Sequence, residues 1–208
     1  RFKLIDRAEA SRKKAVLLTA RAMELEDQEP DEALDLALSA HKISPELVPA
    51  SIIAARILSN QGNLRKVNRV LEKTWSLSPH PDIAEVYGSA RAGDAPLDRL
   101  KRVKSLVKKS SSLEVSKLAV AEAALEAGVW DEAISELEDI SSDQPSMRVC
   151  ALLARAHEGL GDMGSAREWF SKAVRARRDP MWVADGFVSD RWSPVSPVTG
   201  ELDSFEWK

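Results

Sequence analysis

The chain has 208 residues, 44% of them hydrophobic and 30% charged, which suits one globular domain or one short repeat array. Its single cysteine, Cys150, excludes an internal disulfide framework and every multi-cysteine zinc or iron–sulfur site, and points toward a reducing compartment. No apolar run is long enough to cross a bilayer, no secretory signal is present, and a net charge of −3 argues against general nucleic-acid binding.

The chain opens at Arg1 without a methionine and continues Phe2-Lys3-Leu4-Ile5, so it reads as an excised piece with room for a membrane anchor upstream. A recurring pattern of turn, polar step and small residue follows. It runs first through Asp31-Glu32-Ala33 to Ala37, Ala40 and Pro45, and next through Gly62-Asn63-Leu64 to Val67, Leu71, Thr74 and Pro79. A degenerate unit is centred on Leu100, within the apolar series Leu97, Leu100, Val103 and Val107. The pattern returns at Gly128-Val129-Trp130-Asp131-Glu132-Ala133 with Leu137, Ile140 and Pro145. It appears last at Gly161-Asp162-Met163 with Ala166, Phe170, Ala173 and Pro180.

The equivalent positions Ala33, Val67, Ala133 and Ala166 are separated by 34, 66 and 33 residues, the double step leaving room for the degenerate unit. A period of ~34 is that of the tetratricopeptide helix–turn–helix. Glycine ends a first helix, a small residue allows the second helix to approach closely, and proline stops the second helix. Ala20, Ala54 or Ala55, Ala121 and Ala154 are the small partners expected on the first helices. The predicted fold is all-α. It is a right-handed superhelix of about five tetratricopeptide-like helix pairs over residues 1–179, followed by an extended, non-helical tail over residues 180–208.

That tail holds Trp182, Trp192, Trp207, Phe187 and Phe205, with Pro194, Pro197 and Gly200 to break any helix. So much aromatic surface is costly in water. The tail is therefore expected to cap the last repeat, covering apolar surface around Phe170 and Val174; docking in a groove is the alternative.

Charge is uneven along the chain: residues 1–110 hold 20 Lys and Arg against 15 Asp and Glu, and residues 111–208 hold 10 against 18. The asymmetry could orient an encounter or stack molecules head to tail, but two solvated surfaces are the simpler reading. The basic run Arg99, Lys101, Arg102, Lys104, Lys108 and Lys109 flanks an apolar stripe. It reads as a solvated face, or alternatively as a docking surface for an acidic protein or an anionic leaflet.

Catalytic signals are missing. His41, His80 and His157 show no metal-ligand spacing, Ser110-Ser111-Ser112 and Ser141-Ser142 suit loops and caps, and no nucleophile elbow or phosphate loop occurs. No enzyme activity, metal or cofactor is expected. Haem remains an alternative through a histidine or Cys150, although no Cys-x-x-Cys-His motif is present. First helices line the inner surface of such an array. The register there nominates Ile52, Arg56, Asn60, Glu85, Leu118, Glu122, Arg148 and Arg155 as a surface for an extended polar protein or peptide segment, without the Lys/Asn pattern of a carboxylate clamp.

Three stretches resemble the HemY-type inner-membrane proteins of alphaproteobacteria. They are Arg12-Lys13-Lys14-Ala15-Val16-Leu17-Leu18-Thr19-Ala20, Gly93-Asp94-Ala95-Pro96-Leu97-Asp98-Arg99-Leu100-Lys101, and Val195-Ser196-Pro197-Val198-Thr199-Gly200 with Phe205-Glu206-Trp207. The resemblance implies the soluble part of a membrane-anchored protein, on the cytoplasmic side of the inner membrane and associated with late haem biosynthesis. Relatives carry cysteines near Trp182 where this chain has Ala184 and Phe187, which argues against a metal in the tail.

Overall fold

The computed structural model describes residues 6–108, 110–140 and 144–208. The opening stretch 1–5, Lys109 of the basic run, and the loop serines Ser141 and Ser142 lie outside the described residues. Ten helices form five consecutive pairs among the described residues. They are α1 (Arg7–Leu25) with α2 (Pro30–Ile43), α3 (Val48–Asn60) with α4 (Leu64–Leu77), α5 (Pro81–Ser89) with α6 (Pro96–Val107), α7 (Glu114–Glu126) with α8 (Trp130–Glu138), and α9 (Met147–Gly159) with α10 (Met163–Ala173).

Local chemistry sets these boundaries. Proline occupies the first turn of α2, α3 and α6, where its missing N–H is of no consequence. The side chains of Asn63, Ser146 and Asp162 accept from the backbone N–H of Lys66, Val149 and Ser165, capping α4, α9 and α10. Gly62, Gly128 and Gly161 take positive φ of 73, 70 and 81°, closing α3, α7 and α9 at the same repeat position.

Ala33, Val67, Ala133 and Ala166 are all buried where second helices cross first helices, and Ala54, Ala55, Ala121 and Ala154 are fully buried on the first helices. The first pair departs from the expectation: Ala20 is only half-buried, while Thr19 and Ala22 are fully buried. The hydroxyl of Thr19 returns to the Ala15 carbonyl at 2.8 Å, which lets a polar residue sit at the crossing.

The chain divides into two compact units: residues up to Val86 together with Pro180–Lys208, and Tyr87–Asp179. In the first unit α2 packs on α1, α3 on α2 and α4 on α3, and α1 also touches α3. In the second, α7 packs on α6, α8 on α7, α9 on α8 and α10 on α9, and α7 also touches α9. The first helices of neighbouring pairs thus lie side by side within each unit.

The tail is a three-stranded antiparallel sheet in the first unit, with β1 (Trp182–Ala184) between β2 (Phe187–Ser189) and β3 (Glu206–Trp207). Asp185 and Gly186, with φ of 50 and 83°, form a two-residue hairpin loop whose positive φ angles match the twist of the strands. The Asp185 carboxylate takes a 2.7 Å hydrogen bond from Thr199, joining the hairpin to the following turn.

Trp182, Ala184, Trp192 and Phe205 share one core cluster with Ala15, Val16, Ala40, Leu47 and Ala50 of α1, α2 and the start of α3. His80 stacks on Trp182 at 5.1 Å between ring centroids and meets Trp207 at 4.2 Å. Arg12 grips both oxygens of Asp203 at 2.8 and 3.1 Å and reaches Glu46 at 2.8 Å. Burial works against the Arg12 charge, but these carboxylates more than offset it and raise its pKa. This corrects the expected cap on the last repeat: the tail packs on the first repeats, while Phe170 and Val174 stay exposed.

Two charge readings change as well. The first unit holds 15 Lys and Arg against 18 Asp and Glu and the second holds 15 of each, so the unevenness along the chain is not a dipole between the units. Within the basic run, Lys101 pairs with Asp98 at 3.0 Å and Lys104 pairs with Glu132. Arg102 donates to the Tyr87 carbonyl at 3.1 Å and lies over its ring. Each of those three cations has a partner within the second unit, although Lys101 and Asp98 remain mostly exposed.

Candidate functional site

The first-helix face of the first unit centres on an ion pair. Arg56 of α3 donates Nε to Glu26 Oε1 at 2.8 Å and Nη2 to Oε2 at 2.7 Å, so the fork bridges α3 and the end of α1. Beside it Gln61 donates to Asp31 at 3.1 Å. Glu26, Asp27, Pro30, Arg56, Asn60 and Gln61, with Ile57, line an open cleft of about 710 Å³. The chemistry is that of a polar groove with donors and acceptors of both signs, able to exchange hydrogen bonds with a peptide backbone or polar side chains.

In the second unit Arg148 at the start of α9 donates Nε to Glu122 of α7 at 2.5 Å, again linking neighbouring first helices. Leu118 is half-buried one turn before Glu122, and Arg155 is exposed two turns beyond Arg148. Glu85 is exposed on α5. Ile52 is different: it is buried in the core, because the face of α3 that carries it packs inward with Ile53 and Ala55, so it offers little surface to a partner. The structure therefore brings Arg56 and Asn60 into one cleft and Glu122 and Arg148 into one ion pair.

The sequence reading missed Glu26, Asp27 and Gln61. The available signal was an acidic cluster at the end of a first helix, about one repeat before Arg56 and on the flank that repeat stacking brings beside it.

A second open cleft, of about 570 Å³, lies in the second unit between Gln144, Pro145 and Cys150 on one side and Ser171, Lys172, Arg175, Ala176 and Arg177 on the other. Arg177 is held by Glu114 at 2.6 Å and by the Gln144 carbonyl at 2.9 Å. Burial pushes the Cys150 thiol above its ordinary pKa, with Lys172 pulling the other way, so the sulfur is protonated and poorly nucleophilic at neutral pH.

The histidines have local occupations. His41 is half-buried with Nε2 3.2 Å from the Thr74 hydroxyl, and burial lowers its pKa, favouring the neutral ring. His80 lies among the tail tryptophans, and His157 sits 3.5 Å from Asp162. Among the described residues no group of three or more His, Cys, Asp and Glu is placed to hold a metal ion, and no helix is long and apolar enough to cross a membrane.

The glycine turns and small-residue crossings that recur between the chain's helices define an all-α helical repeat fold with tetratricopeptide-like helix pairs. Solved structures similar to the chain include MamA, at 18% identity over 83% of this chain and 95% of that one, with a TM-score of 0.47. A MamA from Desulfovibrio magneticus RS-1 has 16% identity over 78% and 94%, with a TM-score of 0.45. YrrB, described as a TPR protein with an unusual peptide-binding site, has 16% identity over 80% and 88%, with a TM-score of 0.45. No protein-family model and no curated protein matches the chain.

Proposed function

We propose that the protein is an interaction scaffold that holds an extended, polar segment of another protein against its first-helix face, and that it acts by binding and not by catalysis. The observation that carries this reading is the open cleft in which Arg56, Asn60 and Gln61 stand beside Glu26 and Asp27. An extended segment needs backbone hydrogen-bond partners, and this cleft offers both donors and acceptors. Ile52 is omitted from the proposed surface; Arg56, Asn60 and Glu85 remain in it on the first unit, and Leu118, Glu122, Arg148 and Arg155 on the second, each unit read by itself.

By the sequence resemblance, the proposal extends to the soluble part of a HemY-like protein anchored in the inner membrane, facing the cytoplasm and serving late haem biosynthesis. A scaffold of this kind needs no cofactor. The competing function, a haem or porphyrin carrier, is distinguished by titration with haem: a saturable Soret shift would favour the carrier.

The test of the scaffold is capture from native membranes by the immobilised chain and by its Arg56→Glu/Arg155→Glu variant. Arg155→Glu on its exposed position should leave melting within ~0.5 kcal/mol, whereas Arg56→Glu also breaks the pair to Glu26 and lowers the melt, so capture is compared well below both melting temperatures. Specific partners should be lost from the variant. Equal capture by both proteins would place binding elsewhere.

A further inference from the structure

The outward side of α10 is built for contact but is left exposed among the described residues. Phe170 stands 33 residues after Leu137 and 99 after Leu71, at the same repeat position. Leu71 and Leu137 are fully buried, whereas Phe170 is 47% exposed. Val174, which caps α10, stands 99 residues after Trp75; Trp75 is buried and Val174 is 84% exposed. Met163 is likewise exposed, and spacings of seven and eleven residues put Met163, Phe170 and Val174 in one stripe. In the preceding pair the corresponding helix, α8, is covered by α9. The position that a further first helix would take against α10 is open, which defines the shape of an occupant: a helix with an apolar stripe.

Charge defines the rest of its chemistry. Arg167 follows Met163 by one turn beside the stripe, and Arg175 follows Val174 directly. From Met163 to Asp179 the segment carries Arg167, Lys172, Arg175, Arg177 and Arg178 against only Glu168 and Asp179, with Arg177 already held by Glu114. The Asp179 carboxylate is already engaged by the Arg148 backbone N–H at 2.9 Å. A second copy of the chain is a poor fit, because α1, whose Leu17 is exposed at the other end of the repeat series, offers Arg7 and Lys14, while its carboxylates Glu9 and Glu24 are already paired with Lys13 and Arg21 and its Arg12 with Asp203 and Glu46. Like charges would oppose that contact.

We propose that the outward face of α10 is a second docking site, which takes an acidic amphipathic helix from a partner protein as if it were the first helix of a further repeat. Leucines of the incoming helix cover Met163, Phe170 and Val174, and its carboxylates meet Arg167 and Arg175. This site is independent of the first-helix face.

The test uses the full chain and a fluorescein-labelled synthetic helix with leucine at one face and glutamate elsewhere. A lysine version serves as control, and binding is read by anisotropy. The glutamate helix should bind saturably, and the lysine helix about tenfold or more weaker. Phe170→Asp and Val174→Asp should each weaken the glutamate helix about tenfold, and Arg167→Glu/Arg175→Glu by several-fold, with melting unchanged. Val174→Asp is the variant least able to disturb the fold.

Absence of saturable binding, equal affinity for the two helices, or indifference to these substitutions would overturn the proposal. Self-association abolished by Phe170→Asp would assign the face to a second copy instead. Binding to phosphatidylglycerol vesicles, lost in the same variants and without helix binding, would assign it to a membrane surface. Either result would also overturn the proposal.

Discussion

Small side chains at four equivalent positions decide how closely the helices of a pair approach. Ala133 has no exposed surface, and Ala124 of α7 and Leu137 of α8 are fully buried as well. Ala133→Leu should therefore overpack the α7–α8 crossing and lower stability by ~1–3 kcal/mol, seen as a fall in melting temperature. Ala20→Leu on half-buried α1 should cost much less. Equal melting of the two variants would mean that the repeat register does not set the packing. Gly159 shows the same close approach between pairs. A Cβ there would meet the Trp130 ring at 2.5 Å, so the aromatic at the start of α8 requires glycine at the end of α9.

At the scale of the element, the tail is the segment that the sequence located poorly. Its aromatics and prolines announce a non-helical piece with something to bury, and Asp185-Gly186 between apolar runs is a hairpin signal. Its docking place was not legible. Arg12 meets Asp203 across 191 positions, and nothing in either local pattern names the other. Helix pairs were legible for the opposite reason: their contacts are short-range and repeat, so the same residues announce them several times.

Burial of Trp182, Trp192 and Phe205 contributes about 2–3 kcal/mol each, less the entropy of ordering the segment. Deleting residues 181–208 should lower the melting temperature and speed hydrogen exchange in α1 and the start of α3, where Ala15, Val16 and Ala50 lose their cover. Faster exchange confined to α9 and α10, or an unchanged melt, would contradict this packing.

At the scale of the whole molecule, repeat stacking places first helices side by side within each unit and so makes, in each, a face whose charged residues come from separate stretches of sequence. The repeat period predicts which helix positions face the same way, and the structure puts Arg56 beside Asn60 and Glu122 beside Arg148 accordingly. The sequence misassigned Ile52, because a helical period alone does not separate an outward apolar position from an inward one on a helix buried on most sides. It missed Glu26 because the end of a helix lies where boundaries are least determined.

The central claim is that partners bind on the first-helix face. It is tested most directly by placing a photo-crosslinking amino acid singly at Asn60, at Arg155 and, as a control away from that face, at Arg65 on α4, then irradiating the full chain in native membranes. All three positions are exposed, so each variant should fold. Discrete crosslinked species from positions 60 and 155, absent from position 65, are the predicted result. Crosslinks from position 65 alone, or the same species from all three positions, would contradict it.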